Sequence, residues 1–181
     1  MQLRKALLLG DITNKIKDRS RKKFLEECIE RFPSYFWIAP SSGSGKYHPS
    51  DEHGDGGLFL HTRRVVKVCE HLSVMENLNE RDRDILIIAA VLHDSFAKGR
   101  KGSYSHSSDK YHPLYPVEYF PYSGFGEKYL QEEEYDDIME AVVSHMGRFS
   151  VTKSLVSKEK IPYLLQVADY LTSRKDIIVT L

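Results

Sequence analysis

The sequence predicts an all-α fold. Three observations carry that prediction. Apolar residues recur at helical spacing in five segments. One segment, Ile85 to Leu92, is apolar on nearly every side. No strand–turn–strand alternation runs through the chain. A bundle of helices around one buried central helix is the expected architecture.

The elements follow in order. From Arg21 to Phe32, the residues Phe24, Leu25, Cys28, Ile29 and Phe32 fall at i, i+4 and i+8 and make one apolar face; Pro33 stops the helix. Tyr35-Phe36-Trp37-Ile38-Ala39-Pro40 leans toward β by composition and is expected as an extended core segment rather than a sheet strand. Ser41 to Gly57 is rich in Gly, Ser, His and Asp and reads as a loop, long enough to suggest a functional role. A helix is expected from about Gly57 to Leu72. His61, Val65, Val68 and Leu72 share its stripe, so His61 points to the core side. Asn79 is the expected N-cap of the next helix, with Asp82 as an acidic first-turn partner. That helix carries the Ile85–Leu92 run and delivers His93 and Asp94 at its C-terminal end. Ala97 to Lys110 is basic and polar, and Pro113, Pro116 and Pro121 punctuate the next stretch. Two further helices are expected. One runs from about Glu133 to His145, with Ile138, Val142 and His145 on a stripe. The other runs from about Lys158 to Arg174, with Leu165, Ala168, Asp169 and Thr172 close together.

The 181 residues fit a single domain, 1–181, with two helices in residues 1–40 packing on the core or building an oligomer contact. Lys plus Arg is 26 and Asp plus Glu is 26, so the net charge is zero. That balance argues against tight binding of long nucleic acid, which needs many phosphate contacts, but not against a small phosphorylated ligand. Cys28 and Cys69 sit in amphipathic patterns and read as buried thiols rather than a disulfide framework. The apolar stretch near the N-terminus is too short to span a membrane and has no clear small-residue cleavage site; a cytoplasmic protein is expected.

The chemistry lies in four separated pieces: His61, His93-Asp94, His145 and Asp169. Each alone has a bland reading. A histidine on an apolar stripe is more often a hydrogen-bonded core residue, a buried aspartate can be salt-bridged, and His145 can simply close its helix. Together they differ. A buried carboxylate is costly unless it is paired or metal-bound, and several such groups able to converge have one economical explanation in a shared cation. Imidazole plus carboxylate suits Mn, Fe, Co, Ni or Zn.

The order His … His-Asp … His … Asp on helices resembles the HD-domain metal-dependent phosphohydrolase superfamily, over about residues 56–175. Gly56-Gly57-Leu58-Phe59-Leu60-His61-Thr62 resembles its first-histidine motif, including the form seen in HD-domain exoribonucleases. Ala90-Val91-Leu92-His93-Asp94 resembles the signature doublet. Val143-Ser144-His145-Met146-Gly147-Arg148 and Val167-Ala168-Asp169-Tyr170-Leu171 resemble the later motifs. The resemblance implies an HD helical bundle with the metal site at its centre, His61, His93, Asp94 and Asp169 holding one divalent metal (Mg joining the candidates), and hydrolysis of a phosphate ester by a metal-activated water. Relatives carry a lysine near the phosphate after the doublet, and Lys98 is placed like it. His112 and His145 are placed like the additional ligands of two-metal relatives, with Asp94 bridging. Where some relatives have paired histidines this chain has His145-Met146. With a single metal, His112 and His145 become substrate or proton-transfer residues, and Asp94 or His112 takes the proton of the attacking water.

Arg63, Arg100 and Arg148 are the further expected phosphate contacts, beside Lys98. His48 and His53 read as surface loop histidines that can reach the mouth of the site. The expected substrate is a nucleotide or similar small phosphorylated molecule, attacked in line at phosphorus. Two alternatives stay open: a 3′ exonuclease or phosphodiesterase on oligonucleotides, and a metal- or nucleotide-sensing module without turnover.

Overall fold

A computed structural model describes residues 2–42, 45–151 and 156–181, with residues 8 and 9 described by their backbone alone. Among these residues seven α-helices carry the fold and no strand is present: α1 (Gln2–Leu7), α2 (Arg19–Glu30), α3 (Gly57–Met75), α4 (Glu80–Leu92), α5 (Tyr115–Tyr119), α6 (Glu132–Ser144) and α7 (Lys160–Thr172). The all-α expectation holds. The helix boundaries lie within a few residues of those read from the periodicity.

Helix α4 is the axis of the molecule. Every residue from Asp84 to Leu92 is buried, as its apolar run requires. It begins as expected, with the Asn79 side chain accepting the Asp82 backbone N–H at 2.9 Å. Helix α3 packs on α4 and α7, and α6 packs on α4 and α7, so three helices, α3, α6 and α7, surround α4. The charged Asp84 is buried but fully satisfied. It accepts the backbone N–H groups of Lys17 and Asp18 and the Arg21 guanidinium, and so ties the start of α2 to α4. Ile12, Ile16, Phe24, Leu25, Cys28 and Ile29 join the same hydrophobic core as α3, α4, α6 and α7, so residues 12–30 pack on the core. Both cysteines are buried and unpaired, and burial raises both thiols.

One local expectation is corrected. Ser34–Trp37 forms a turn of 3-10 helix, not an extended segment. The aromatic run that favours β by composition is instead wound so that Tyr35, Phe36 and Trp37 all reach the core, and Phe36 meets Phe32 and Trp37 edge to face. The loop from Ser41 to Gly57, whose residues 43 and 44 lie outside the described residues, carries a short 3-10 turn at Ser50–Glu52 that packs on the start of α3. The Gly56-Gly57 pair permits this contact. Gly56 has φ +77°, and a Cβ on Gly57 would overlap the Glu52 backbone carbonyl.

No helix among the described residues is long and apolar enough to cross a membrane.

Candidate metal centre

The C-terminal end of α4 meets the inner faces of α3, α6 and α7, and there the predicted ligands converge. His61 comes from the first turns of α3, where its apolar stripe turns it inward, and it is fully buried. His93 caps α4 and is equally buried. Asp169 on α7 lies 3.1 Å from His61 Nε2 through Oδ1 and 3.9 Å from His93 Nε2. Asp94 stands between two sets of nitrogens. Its Oδ2 is 3.6 Å from His93 Nε2 and 3.9 Å from His61 Nε2. Its Oδ1 is 2.8 Å from His112 Nε2 and 3.7 Å from His145 Nε2. The last two nitrogens are 3.2 Å apart.

The backbone orients the rings. Nδ1 of His93, His112 and His145 points at the carbonyls of Ala90, Asp109 and Val142, at 2.8, 2.6 and 2.6 Å. A carbonyl accepts only from N–H, so in the neutral rings the proton sits on Nδ1 and the Nε2 lone pair faces the cluster. This is the arrangement a metal-ligating imidazole needs. His93 Nε2 is buried and has no hydrogen-bond partner among the described residues. Such an orphan costs free energy unless something else occupies its lone pair.

The electrostatics agree. Burial pushes His93 down to about 4, against the pull of Asp94 and Asp169, so its ring is neutral near pH 7. Burial opposes charge on His61 too, but there Asp169 and Glu52 outweigh it and raise the ring to about 10. Asp94 and Asp169 resist burial through the surrounding imidazoles: Asp94 lies well below the carboxylate range and Asp169 at about 2. The proton on His61 therefore does what a cation at the same point would do, and metal binding displaces such protons.

Nitrogen and carboxylate oxygen donors at 3.1 to 3.9 Å fit pairs of ligands each about 2.0–2.2 Å from a shared ion. His61, His93 and Asp94 form one group of donors close enough for a metal, and Asp94, His112 and His145 a second. With the orphaned His93 nitrogen, the residues present fit a divalent ion.

The HD domain family model matches residues 58–174. The chain belongs to the HD-domain family. This is a superfamily of metal-dependent phosphohydrolases, and the matched segment runs from the start of α3 to just past α7. No curated protein and no solved structure matches the chain significantly.

Around this HD centre the structure sorts the remaining expected residues. Lys98 is fully buried; its ammonium donates to the Ser41 and His106 carbonyls at 3.3 and 3.4 Å, and burial lowers its pKa against the charge of Asp94. Two expected phosphate contacts stand elsewhere. Arg63 faces Asp11 at 3.7 Å and lies over the Phe59 ring. Arg100 is exposed, paired with Glu118 at 2.8 Å and stacked over Tyr115. Arg148 is exposed and covers the Phe149 ring. His53 stays exposed, whereas His48 is drawn in: with His145 and Asp169 it lines a cavity of about 510 Å³ beside the cluster.

Four contributors escape the sequence. Glu52 is fully buried. Its Oε2 accepts His48 Nδ1 at 2.9 Å and Ser41 Oγ at 3.2 Å and stands 3.4 Å from His61 Nδ1; its Oε1 accepts Arg64 at 2.6 Å. The last His61 contact has ion-pair distance without good hydrogen-bond geometry. Burial would raise the Glu52 carboxyl, but His48, His61 and Arg64 hold it far below its usual range. Asp109 holds His112 through its backbone carbonyl and accepts the Tyr115 hydroxyl at 2.8 Å. Neither acid has a periodicity to betray it, because both lie in loops. Gln166 and Arg174, on and just past α7, line the cavity. Gln166 could have been found, since it lies three residues before Asp169 and so shares its helix face.

Proposed function

We propose that the chain hydrolyses a phosphate ester of a nucleotide or similar small phosphorylated substrate. The observation that carries this reading is the placement of Asp94 in an HD domain, with one carboxylate oxygen toward His61 and His93 and the other toward His112 and His145. His61, His93, Asp94 and Asp169 would hold the first divalent ion. Asp94, His112 and His145 would hold a second. The bound metal supplies Lewis acidity, lowering the pKa of water and polarising a phosphoryl oxygen.

The chain does the rest. The Ala90, Asp109 and Val142 carbonyls keep three imidazoles in one tautomer with Nε2 forward. Glu52, braced by Arg64, stands behind His61 and restrains its ring. Lys98 lies behind the doublet within the influence of Asp94, and its positive charge offsets the charge that grows on the phosphoryl oxygens. His48 faces Glu52 with Nδ1 and lines the cavity, where its other ring nitrogen can hydrogen-bond the substrate. Zero net charge favours a small substrate over long nucleic acid.

The test is a panel of nucleotides and sugar phosphates with Mn, Co, Ni, Mg or Zn supplied, read as released phosphate. Metal-dependent release supports the proposal. No release from any substrate, with metal bound, favours a sensing module without turnover.

A further inference from the structure

The cavity of about 510 Å³ beside the centre is lined by two unlike sets of residues: His48, His145 and Asp169 of the cluster, and the three aromatic rings of Tyr47, Phe149 and Tyr170. These rings are 50%, 62% and 45% exposed. Arg174 reaches between two of them, its guanidinium 5.0 Å from the Tyr170 ring and 5.7 Å from the Tyr47 ring. Three aromatic side chains gathered in one cavity, each about half exposed beside an arginine, are unlike scattered surface residues and mark a site that takes an apolar, flat group.

A polar group is set among them. The Gln166 carboxamide lines the same cavity and has no hydrogen-bond partner among the described residues. It is held close over Gly147, whose φ is +50° and where any Cβ would collide with that amide. A carboxamide offers one donor group and one acceptor side by side, the pattern that pairs with the edge of a nucleobase.

We propose that Tyr47, Phe149, Tyr170 and Arg174 form a stacking subsite for the base of a nucleoside phosphate, with Gln166 reading the base edge. This rests on the reading of the metal centre as the place of the phosphate. The volume suits one nucleoside monophosphate rather than a longer chain. A sugar phosphate would leave the three rings with nothing to stack on.

The experiment separates the subsite from the chemistry. The full chain with Mn²⁺ is titrated calorimetrically with adenosine, which has no phosphate to lose, then with adenosine 5′-monophosphate and ribose 5-phosphate, and released phosphate is measured in the same samples. Adenosine is expected to bind and ribose 5-phosphate to bind more weakly than the nucleotide. Tyr47→Ala and Tyr170→Ala are expected to weaken adenosine about 5- to 150-fold, the range of one lost base–aromatic stack. Gln166→Ala is expected to narrow the differences among adenosine, guanosine, cytidine and uridine. Both tyrosines are about half exposed, so neither substitution threatens the fold. Absence of adenosine binding, equal affinity for ribose 5-phosphate and the nucleotide, or unchanged binding in the tyrosine variants each overturns the subsite. Phosphate release without adenosine binding overturns the subsite and leaves the hydrolase reading standing; adenosine binding without release does the reverse.

Discussion

Glu52→Gln is the perturbation that most sharply separates support of the metal centre from mere structure. The Glu52 carboxylate is fully buried and serves Arg64 at 2.6 Å, His48 at 2.9 Å and Ser41 at 3.2 Å. Glutamine keeps the volume but has one acceptor oxygen. Whichever way the amide turns, its NH₂ group meets a donor, so at least one charge-assisted bond is lost, at about 1.5–3 kcal/mol. A wholly orphaned buried charge would cost about 3–5 kcal/mol. Arg64 is spared that, because Asp51 still holds it at 2.6 and 2.9 Å. Urea denaturation of the metal-free variant should therefore show a loss of about 2–3 kcal/mol. Metal titration should show the first ion bound about 10- to 100-fold more weakly, the usual cost of removing a group that orients a ligand. Asp51→Asn is the control: Asp51 is 56% exposed, the expected change is under about 1 kcal/mol, and metal affinity is retained. A Glu52→Gln protein with lowered stability and unchanged metal affinity would refute the link between Glu52 and His61.

Gly57→Ala should destabilise the protein by about 1–3 kcal/mol or more, measured by thermal or urea unfolding, because the new Cβ must displace the Glu52 backbone; an unchanged midpoint would mean that the 50–52 turn is free to move. Arg63→Ala and Arg100→Ala should each leave kcat/KM within about threefold, since both side chains are engaged away from the centre; a loss of tenfold or more would restore them as phosphate contacts. The metal-free protein should lose stability on both sides of neutrality, read as the denaturation midpoint against pH. On the acid side, His93 is held at about 4 against an ordinary 6.5, and Glu52, Asp94 and Asp169 sit below 4.5, 3.8 and 3.8. The unfolded chain then binds more protons, so stability falls as pH drops below about 6.5 and continues to fall toward 2. On the alkaline side, His61 stabilises fully below 6.5 and loses that contribution as pH rises through about 10. A midpoint that is flat from pH 7 to pH 3 would contradict the assigned acid-side shifts.

The sequence was most readable where a side chain rides on a helix. His61, His93 and Asp169 stand on apolar surfaces, so the 3.6-residue period alone turns them inward. The same geometry explains the arginines. Arg63 follows His61 by two residues, about 200° round the helix, and faces Asp11; Arg64, three residues on, returns to the His61 side and grips Glu52. Adjacency in sequence was a poor guide, and helical phase would have chosen between them. Loop residues carry no such phase. Glu52 and Asp109 reach histidines only because tertiary packing brings their loops there, and His48 enters the site through Glu52. The Tyr35–Trp37 run departs from its composition for a related reason: its β-favouring aromatics answer to core packing, which a 3-10 turn satisfies.

Metal stoichiometry, measured on the purified wild-type chain and on Asp94→Ala, tests the central claim most directly. Asp94 is the only residue whose two oxygens face both sets of histidines among the described residues. The wild-type chain should bind one divalent ion tightly and accept a second, with phosphate release that depends on them, and Asp94→Ala should lose both the ions and the release while remaining folded by circular dichroism. A folded Asp94→Ala protein that keeps its metal and its turnover would contradict the account.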